Sequence, residues 1–312
     1  MNRLLILSAD APKYLALIKA ADLPQLKIDI ACDAAIAAQM IADYNIILGN
    51  PYMVDELLES AGQLEWVQSI WAGVNSLCVE GLRRDYVLTG VKDVFGPQMS
   101  EYVITYLLAH ERKVFRTRDN QLKQHWQQLP YRHSRDITVG IVGLGSIGRH
   151  MARMIRHFGI RVTGLSRTGK PCDDVERVYT TDNIADFFAE PDYVVLVLPE
   201  TPDTRNFINA NTLRMMRPSA VLMNVGRGST INEADLIHAL QEGVIGGAVL
   251  DVFETEPLAQ DSPLWTLPNV FVTPHHSALS FPEDIVEIFT GNYRRFLQDE
   301  PLLHVVDFEL GY

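Results

Sequence analysis

The chain has little cysteine, no long apolar run and no excess of positive charge, and each shortage removes a class of function. Its three cysteines, Cys32, Cys78 and Cys172, lie far apart and form no C-x-x-C pair in 312 residues. Neither a disulfide framework nor a zinc site is expected, and a reducing compartment fits. The apolar run Leu4–Leu7 is too short for a signal-peptide core, and no stretch approaches the roughly 20 apolar residues that span a bilayer. A cytoplasmic protein with no membrane partner is expected. Acidic residues outnumber basic ones by 39 to 27, a net charge of −12 that repels phosphate backbones and disfavours nucleic acid as a partner.

What remains is an ordinary globular composition, 47% hydrophobic and 21% charged, at a length that favours two domains. Short apolar runs alternate with helix-like segments: Leu4–Leu7, Ile46–Leu48, Ile137–Val142, Ile160–Leu165, Tyr193–Leu198, Ala220–Val225, Ala248–Phe253 and Val270–Thr273. That alternation predicts an α/β fold with a mostly parallel sheet. Gln98–Arg118 reads as one uninterrupted helix whose wide apolar face, from Val103 to Phe115, needs a partner, with Gly96-Pro97 marking a boundary before it. Asn232-x-x-Asp235 resembles a capping box, with Asp in place of Glu or Gln.

Gly143-Leu144-Gly145-Ser146-Ile147-Gly148 is G-x-G-x-x-G. Alone the pattern is weak, but here it follows a predicted strand and opens a helix carrying Ile147, Met151, Met154, Ile155 and Phe158, stopped by Gly159. In that setting Gly143 permits the tight turn, Gly145 admits a pyrophosphate and Gly148 lets helix and strand pack. The anion would rest on N–H groups at the helix start, where Ser146 and Ile147 stand. The next strand ends in Ser166-Arg167-Thr168, 18–20 residues past Gly148, where an NAD site usually carries an acid. A guanidinium pairs with a ribose 2′-phosphate and a carboxylate repels one, so NADPH is the expected cofactor, with NADH as the alternative.

Three further residues stand just after predicted strands: Arg227 in N-V-G-R-G, Glu256 in D-V-F-E-T-E-P and His275 in V-T-P-H-H. Arginine grips a carboxylate in a fork, histidine donates a proton to a carbonyl oxygen, and a neighbouring carboxylate favours the imidazolium. The set suits reduction of a 2-oxo acid. Each residue also has a plainer reading: a loop cap for Arg227, a surface charge for Glu256, and a metal pair for His275-His276. Adjacent histidines in a strand point to opposite faces, so no metal is expected.

Taken in order, these motifs resemble the D-isomer-specific 2-hydroxyacid dehydrogenase family over essentially the whole chain. Gln98-Met99-Ser100-Glu101-Tyr102, His125-Trp126, Ser166-Arg167-Thr168 and Ser262-Pro263-Leu264-Trp265 resemble its glyoxylate/hydroxypyruvate reductase A type most of all. The resemblance implies two Rossmann-like, doubly wound parallel-sheet domains with the active site in the cleft between them. Residues 1–97 plus 284–312 would bind substrate and 98–283 the dinucleotide. It implies that Arg227 binds substrate, His275 is the acid/base and Glu256 orients it. Asp251 would hold the nicotinamide carboxamide, with Leu198, Pro199 and Asp203 beside the cofactor. Trp71, Ala72, Gly73 and Val74 resemble the loop whose N–H groups clasp the substrate carboxylate, Trp71 narrowing the pocket; Trp126 is a weaker pocket candidate, a packed core tryptophan being the alternative. It also implies a homodimer through the helix near 98–118. The expected activity is NADPH-preferring reduction of glyoxylate and hydroxypyruvate. A dehydrogenase for a bulkier 2-oxo acid and a non-catalytic NAD(P)-sensing protein are the alternatives.

Overall fold

Apolar runs of three to six residues are too short for stable helices, and side by side they satisfy their backbone groups as strands buried on both faces. In a computed structural model, which describes residues 1–311, those runs build two parallel sheets, one in each of two compact units. The first unit is Met1–Val94 with the tail from Ser280 onward, and the second is Phe95–Leu279.

The first unit holds β1 (Asn2–Leu7), β2 (Leu26–Ala31), β3 (Ile46–Gly49), β4 (Trp66–Ser69) and β5 (Val87–Thr89) in the order β2-β1-β3-β4-β5. All pairs are parallel, with Leu4 opposite Ile46 and Ile46 opposite Trp66. Helices α1 (Ala11–Ala20), α2 (Ala34–Ala38), α3 (Pro51–Asp55) and α10 (Pro282–Phe296) flank it. The last returns from the far end of the chain and lies against α1. Its anchor is aromatic: Trp66 stacks on Phe289 at 5.1 Å and on Phe296 at 5.6 Å. The buried indole N–H donates to Thr89 Oγ1 at 2.8 Å, so the ring costs no unsatisfied donor.

The second unit holds β6 (Thr138–Val142), β7 (Arg161–Leu165), β8 (Arg177–Tyr179), β9 (Tyr193–Leu196), β10 (Val221–Asn224), β11 (Gly247–Leu250) and β12 (Val270–Val272). Their order is β12-β11-β10-β9-β6-β7-β8, all parallel. Chain order reverses direction between β6 and β9, which is where doubly wound sheets open a ligand crevice. Helices α4 (Phe95–Glu111), α5 (Val114–Leu122), α6 (Ser146–Arg156), α7 (Ile184–Ala189), α8 (Ala210–Met215) and α9 (Glu233–Gln241) complete it. One core gathers Phe187, Phe188, Leu196, Leu213, Leu222 and Leu236. No helix among the described residues is long and apolar enough to cross a membrane.

Two local expectations change. The single helix over 98–118 is instead α4 and α5, broken where Lys113 turns left-handed at φ 55°. Tertiary ties decide this. Glu111, at the end of α4, is buried under the hydroxyl of Tyr193 at 2.6 Å and the guanidinium of Arg132. The turn that follows brings Phe115 to Phe271 of β12, ring centroids 4.4 Å apart. Gly96-Pro97 sits in the first turn of α4, where proline is tolerated, just past the change of unit between Val94 and Phe95. Finally, Asn232 does cap α9 by accepting from Asp235 N–H, but the Asp235 carboxylate accepts from Ala210 N–H instead of reaching back.

The stacking on Trp66 predicts that Phe289→Ala destabilises the first unit by about 3–5 kcal/mol. An earlier urea transition in a probe of Trp66 fluorescence would show it; an unmoved transition would mean that α10 is held by something other than this ring.

Candidate active site

The first groups lie where β6 ends. Gly143 has φ 103°, and a Cβ there would fall 2.6 Å from the Val197 carbonyl oxygen beyond β9. A Cβ on Gly148 would fall 2.0 Å from the Gly143 oxygen, so turn and helix touch backbone to backbone. Gly145 differs: its Cβ direction meets nothing within 4 Å, and as N-cap of α6 it supplies no side-chain cap to the first-turn N–H groups, Ser146 and Ile147 among them. That combination is an open, anion-favouring helix start, the cradle a pyrophosphate fits. At the end of β7, Ser166 Oγ accepts from Gly169 N–H at 3.2 Å, while Arg167 and Thr168 are exposed. Arg167 has no hydrogen bond or ion pair among the described residues. Past β9, the Thr204 hydroxyl donates to the Pro199 carbonyl at 2.7 Å and accepts from Thr201 N–H, folding a tight loop beside Leu198 with Asp203 exposed.

A second group forms past β10 and β11. Asn224, fully buried, braces the arginine loop with both ends of its amide: Oδ1 accepts from Gly226 N–H at 3.1 Å and Nδ2 donates to the Arg227 carbonyl at 3.0 Å. Arg227 Nη1 donates to the Gly226 carbonyl at 2.7 Å. The next residue must be glycine, because a Cβ on Gly228 would overlap the Phe253 carbonyl at 1.9 Å. This contact joins the arginine loop to the segment carrying Glu256. Glu256 Oε1 accepts from Phe253 N–H at 3.0 Å, which turns Oε2 toward His275 Nδ1 at 2.7 Å. The imidazole Nε2 is then directed away from the carboxylate, on a side chain 51% exposed.

The electrostatics follow from the geometry. The hydrogen bond that His275 donates to Glu256 lifts the His275 pKa above the ordinary histidine range; burial opposes the rise, and Arg227 is near enough to oppose it as well. Burial alone would lift Glu256, but the His275 and Phe253 hydrogen bonds outweigh it and hold the carboxylate below its usual value. A charged imidazole and an ionised carboxylate support each other, and together they make a proton donor.

Asp251 braces the histidine loop. It is fully buried, and its carboxylate already accepts from the Thr273 hydroxyl at 2.6 Å and from the His276 and Ser277 N–H groups, each at 2.9 Å. The structure shows Asp251 as a buried anchor for the loop that carries His275, with Oδ2 taking only the Ser277 N–H and so able to accept one further donor.

In the first unit, the loop after β4 is pinned by Ser69, whose Oγ accepts from Trp71 N–H at 3.0 Å and donates to its carbonyl at 2.7 Å. The N–H groups of Ala72, Gly73 and Val74 donate to nothing among the described residues. Trp71 is 38% exposed and meets Tyr52 edge-on at 5.8 Å. Trp126 is fully exposed, so the packed-core alternative is overturned.

Comparison with known proteins agrees with this layout. Residues 104–277 match the model of the D-isomer specific 2-hydroxyacid dehydrogenase NAD binding domain. The chain belongs to that family. It is therefore an NAD(P)-dependent dehydrogenase, and the matched span contains the glycine turn, Arg227, Glu256 and His275. The chain is 32% identical over 278 residues to glyoxylate/hydroxypyruvate reductase A of Photorhabdus laumondii, covering 87% of this chain and 88% of that one. A family member from Aeromonas salmonicida has a solved structure with TM-score 0.95 and 44% identity, covering 98% of this chain and 99% of that one. The NADPH-dependent glyoxylate/hydroxypyruvate reductase of Sinorhizobium meliloti, solved with NADP and sulfate, matches with TM-score 0.90 and 31% identity, all of both chains being covered.

Asn224, Ser69, Thr273 and Tyr52 support the candidate residues and were not singled out from the sequence. Asn224 opens the N-V-G-R-G motif, which is a readable signal for a side chain at a strand end. The others depend on partners that local pattern does not show.

The Glu256 contact makes a prediction for the dehydrogenase in solution. Followed by NMR of its ring protons, His275 should titrate above the ordinary histidine range. In Glu256→Gln the midpoint should fall. An unchanged midpoint in the variant would mean that the 2.7 Å contact does not set the charge of the imidazole.

Proposed function

We propose that this dehydrogenase is an NADPH-preferring reductase of small 2-oxo acids such as glyoxylate and hydroxypyruvate, giving glycolate or D-glycerate. The observation that carries the reading is the His275–Glu256 pair at 2.7 Å with Arg227 within electrostatic reach. NADPH preference is supported by an exposed Arg167 at the end of β7, where a 2′-phosphate would need a cation. The named activity of the Photorhabdus relative and the NADP in the Sinorhizobium structure point the same way.

In this reading Gly143, Gly145, Ser146, Ile147 and Gly148 hold the pyrophosphate, Ser166, Arg167 and Thr168 hold the 2′-phosphate, and Leu198, Pro199 and Asp203 border the cofactor. The bound reduced nicotinamide supplies a hydride. Arg227 fixes the substrate carboxylate and its guanidinium polarises the adjacent carbonyl, while the free N–H groups at 72–74 are the first unit's own candidate for a carboxylate. His275 Nε2 delivers a proton to the carbonyl oxygen, and Glu256 holds the imidazole oriented and charged for that transfer. As pH climbs through the raised His275 pKa the donor loses its proton, so reduction slows on the alkaline side.

A bulkier or aromatic 2-oxo acid is the competing substrate, favoured by the Trp71–Tyr52 pair, which presents aromatic edges beside the amides at 72–74. The same reading takes the protein as a homodimer through the region of α4 and α5, where Val114, Phe115 and Leu122 stay exposed. A single sedimenting species of 35.1 kDa would end that part.

Initial rates with glyoxylate, hydroxypyruvate, pyruvate and phenylpyruvate, each with both nicotinamides, test the whole. The small acids with NADPH should lead. His275→Ala should lose on the order of 10² to 10⁴ in rate, and Arg167→Asp should raise the Michaelis constant for NADPH while sparing that for NADH. Turnover with none of the acids would favour a nucleotide sensor.

A further inference from the structure

His275 occupies an unusual backbone position: its φ is 49°, in the left-handed region that side chains other than glycine adopt at a cost. Something must over-determine that turn. Its own N–H donates to the Asp251 carbonyl at 2.9 Å and the Thr273 carbonyl at 3.1 Å. The Asp251 side chain takes the N–H groups of the following two residues, and its Oδ1 also takes the Thr273 hydroxyl proton at 2.6 Å. A threonine hydroxyl has one proton. With that proton given to the carboxylate, the neighbouring hydroxyl of Tyr102, 2.6 Å from Thr273 Oγ1, must be the donor there. The chain therefore has a fixed direction, from Tyr102 on α4 through Thr273 to Asp251. All three residues are buried, so no water competes for these bonds.

We propose that Tyr102 is a positioning residue for the proton donor, locking the left-handed turn at His275 through the Thr273 hydroxyl and the Asp251 carboxylate. The inference rests on His275 as the proton donor. Burial lifts the Tyr102 phenol, keeping the hydroxyl protonated as the chain requires. The charged groups that face His275 are Glu256 and Asp251, which favour its protonated form, and Arg227, which opposes it. A loosened turn carries the imidazole away from the two carboxylates, so its pKa drops toward the ordinary range. The Tyr102 ring packs against Tyr106 at 4.7 Å and edge-on to His276 at 6.3 Å, contacts that phenylalanine keeps. Tyr102→Phe thus removes the hydroxyl alone.

The test compares Tyr102→Phe, Thr273→Val and Thr273→Ser by steady-state rates with glyoxylate and NADPH across pH, and by NMR titration of His275 in the free protein. Tyr102→Phe and Thr273→Val should each lower kcat roughly 10-fold. Their alkaline limb and the His275 midpoint should move to lower pH, with the KM for NADPH unchanged. Thr273→Ser keeps the hydroxyl and should stay close to the parent. If Tyr102→Phe and Thr273→Val lower only the melting temperature, or lower kcat without moving the His275 midpoint, the hydroxyls are merely structural and the proposal fails. His275→Gln separates the two readings. Full turnover in that variant ends the proton-donor role itself, while the NMR midpoints still decide whether Tyr102 positions the imidazole.

Discussion

An imidazole gives up a proton usefully near neutrality only if something keeps it charged until the substrate arrives. At His275 that task falls to one carboxylate, 2.7 Å from Nδ1, and much of the surrounding structure serves to keep the two together. Glu256 is itself aimed by the Phe253 N–H, and Phe253 is pressed against Gly228, the neighbour of Arg227. The opposing cation cannot be dispensed with, because the same guanidinium that lowers the histidine pKa is the group suited to grip an acid substrate. The site is a balance between a carboxylate that charges the imidazole and an arginine that discharges it.

Parallel sheets make such a meeting economical. Every strand of the second unit runs the same way, so the segments after β6, β7, β9, β10, β11 and β12 all leave the sheet on one side. Residues from 143 to 275 are gathered there although nothing local links them. The glycines at the crossing of β6 and β9 leave backbone against backbone on one side and an open helix start on the other. The candidate cofactor and proton-donor residues therefore share one edge of a single scaffold.

Much of this was legible from residue order alone. Short apolar runs became strands because three to six residues cannot hold a helix, and the candidate residues lie just beyond them, in N-V-G-R-G, D-V-F-E-T-E-P and V-T-P-H-H. The family resemblance drawn from those motifs is the one the comparisons show. What stayed hidden depended on distant partners. Nothing near Lys113 announces a break; Glu111 is fixed by Tyr193, which is 82 positions later. The donors that the Asp251 carboxylate holds stand 22 to 26 residues downstream. Asp235 completes a capping pattern on paper, but Ala210 N–H claims its carboxylate. In each case a long-range hydrogen bond supplies what local pattern does not show.

The placement of α10 has a consequence for how the polypeptide is made. Trp66 leaves the ribosome 223 residues before Phe289 and 230 before Phe296, the rings that cover it. The second unit is contiguous and can close while translation continues; the first sheet cannot. At about 5–20 residues per second the nascent N-terminal segment waits on the order of 10–40 s with one face of its central tryptophan uncovered. During that interval its apolar surface is what a chaperone would bind, which makes the sheet begun first the later of the two to mature.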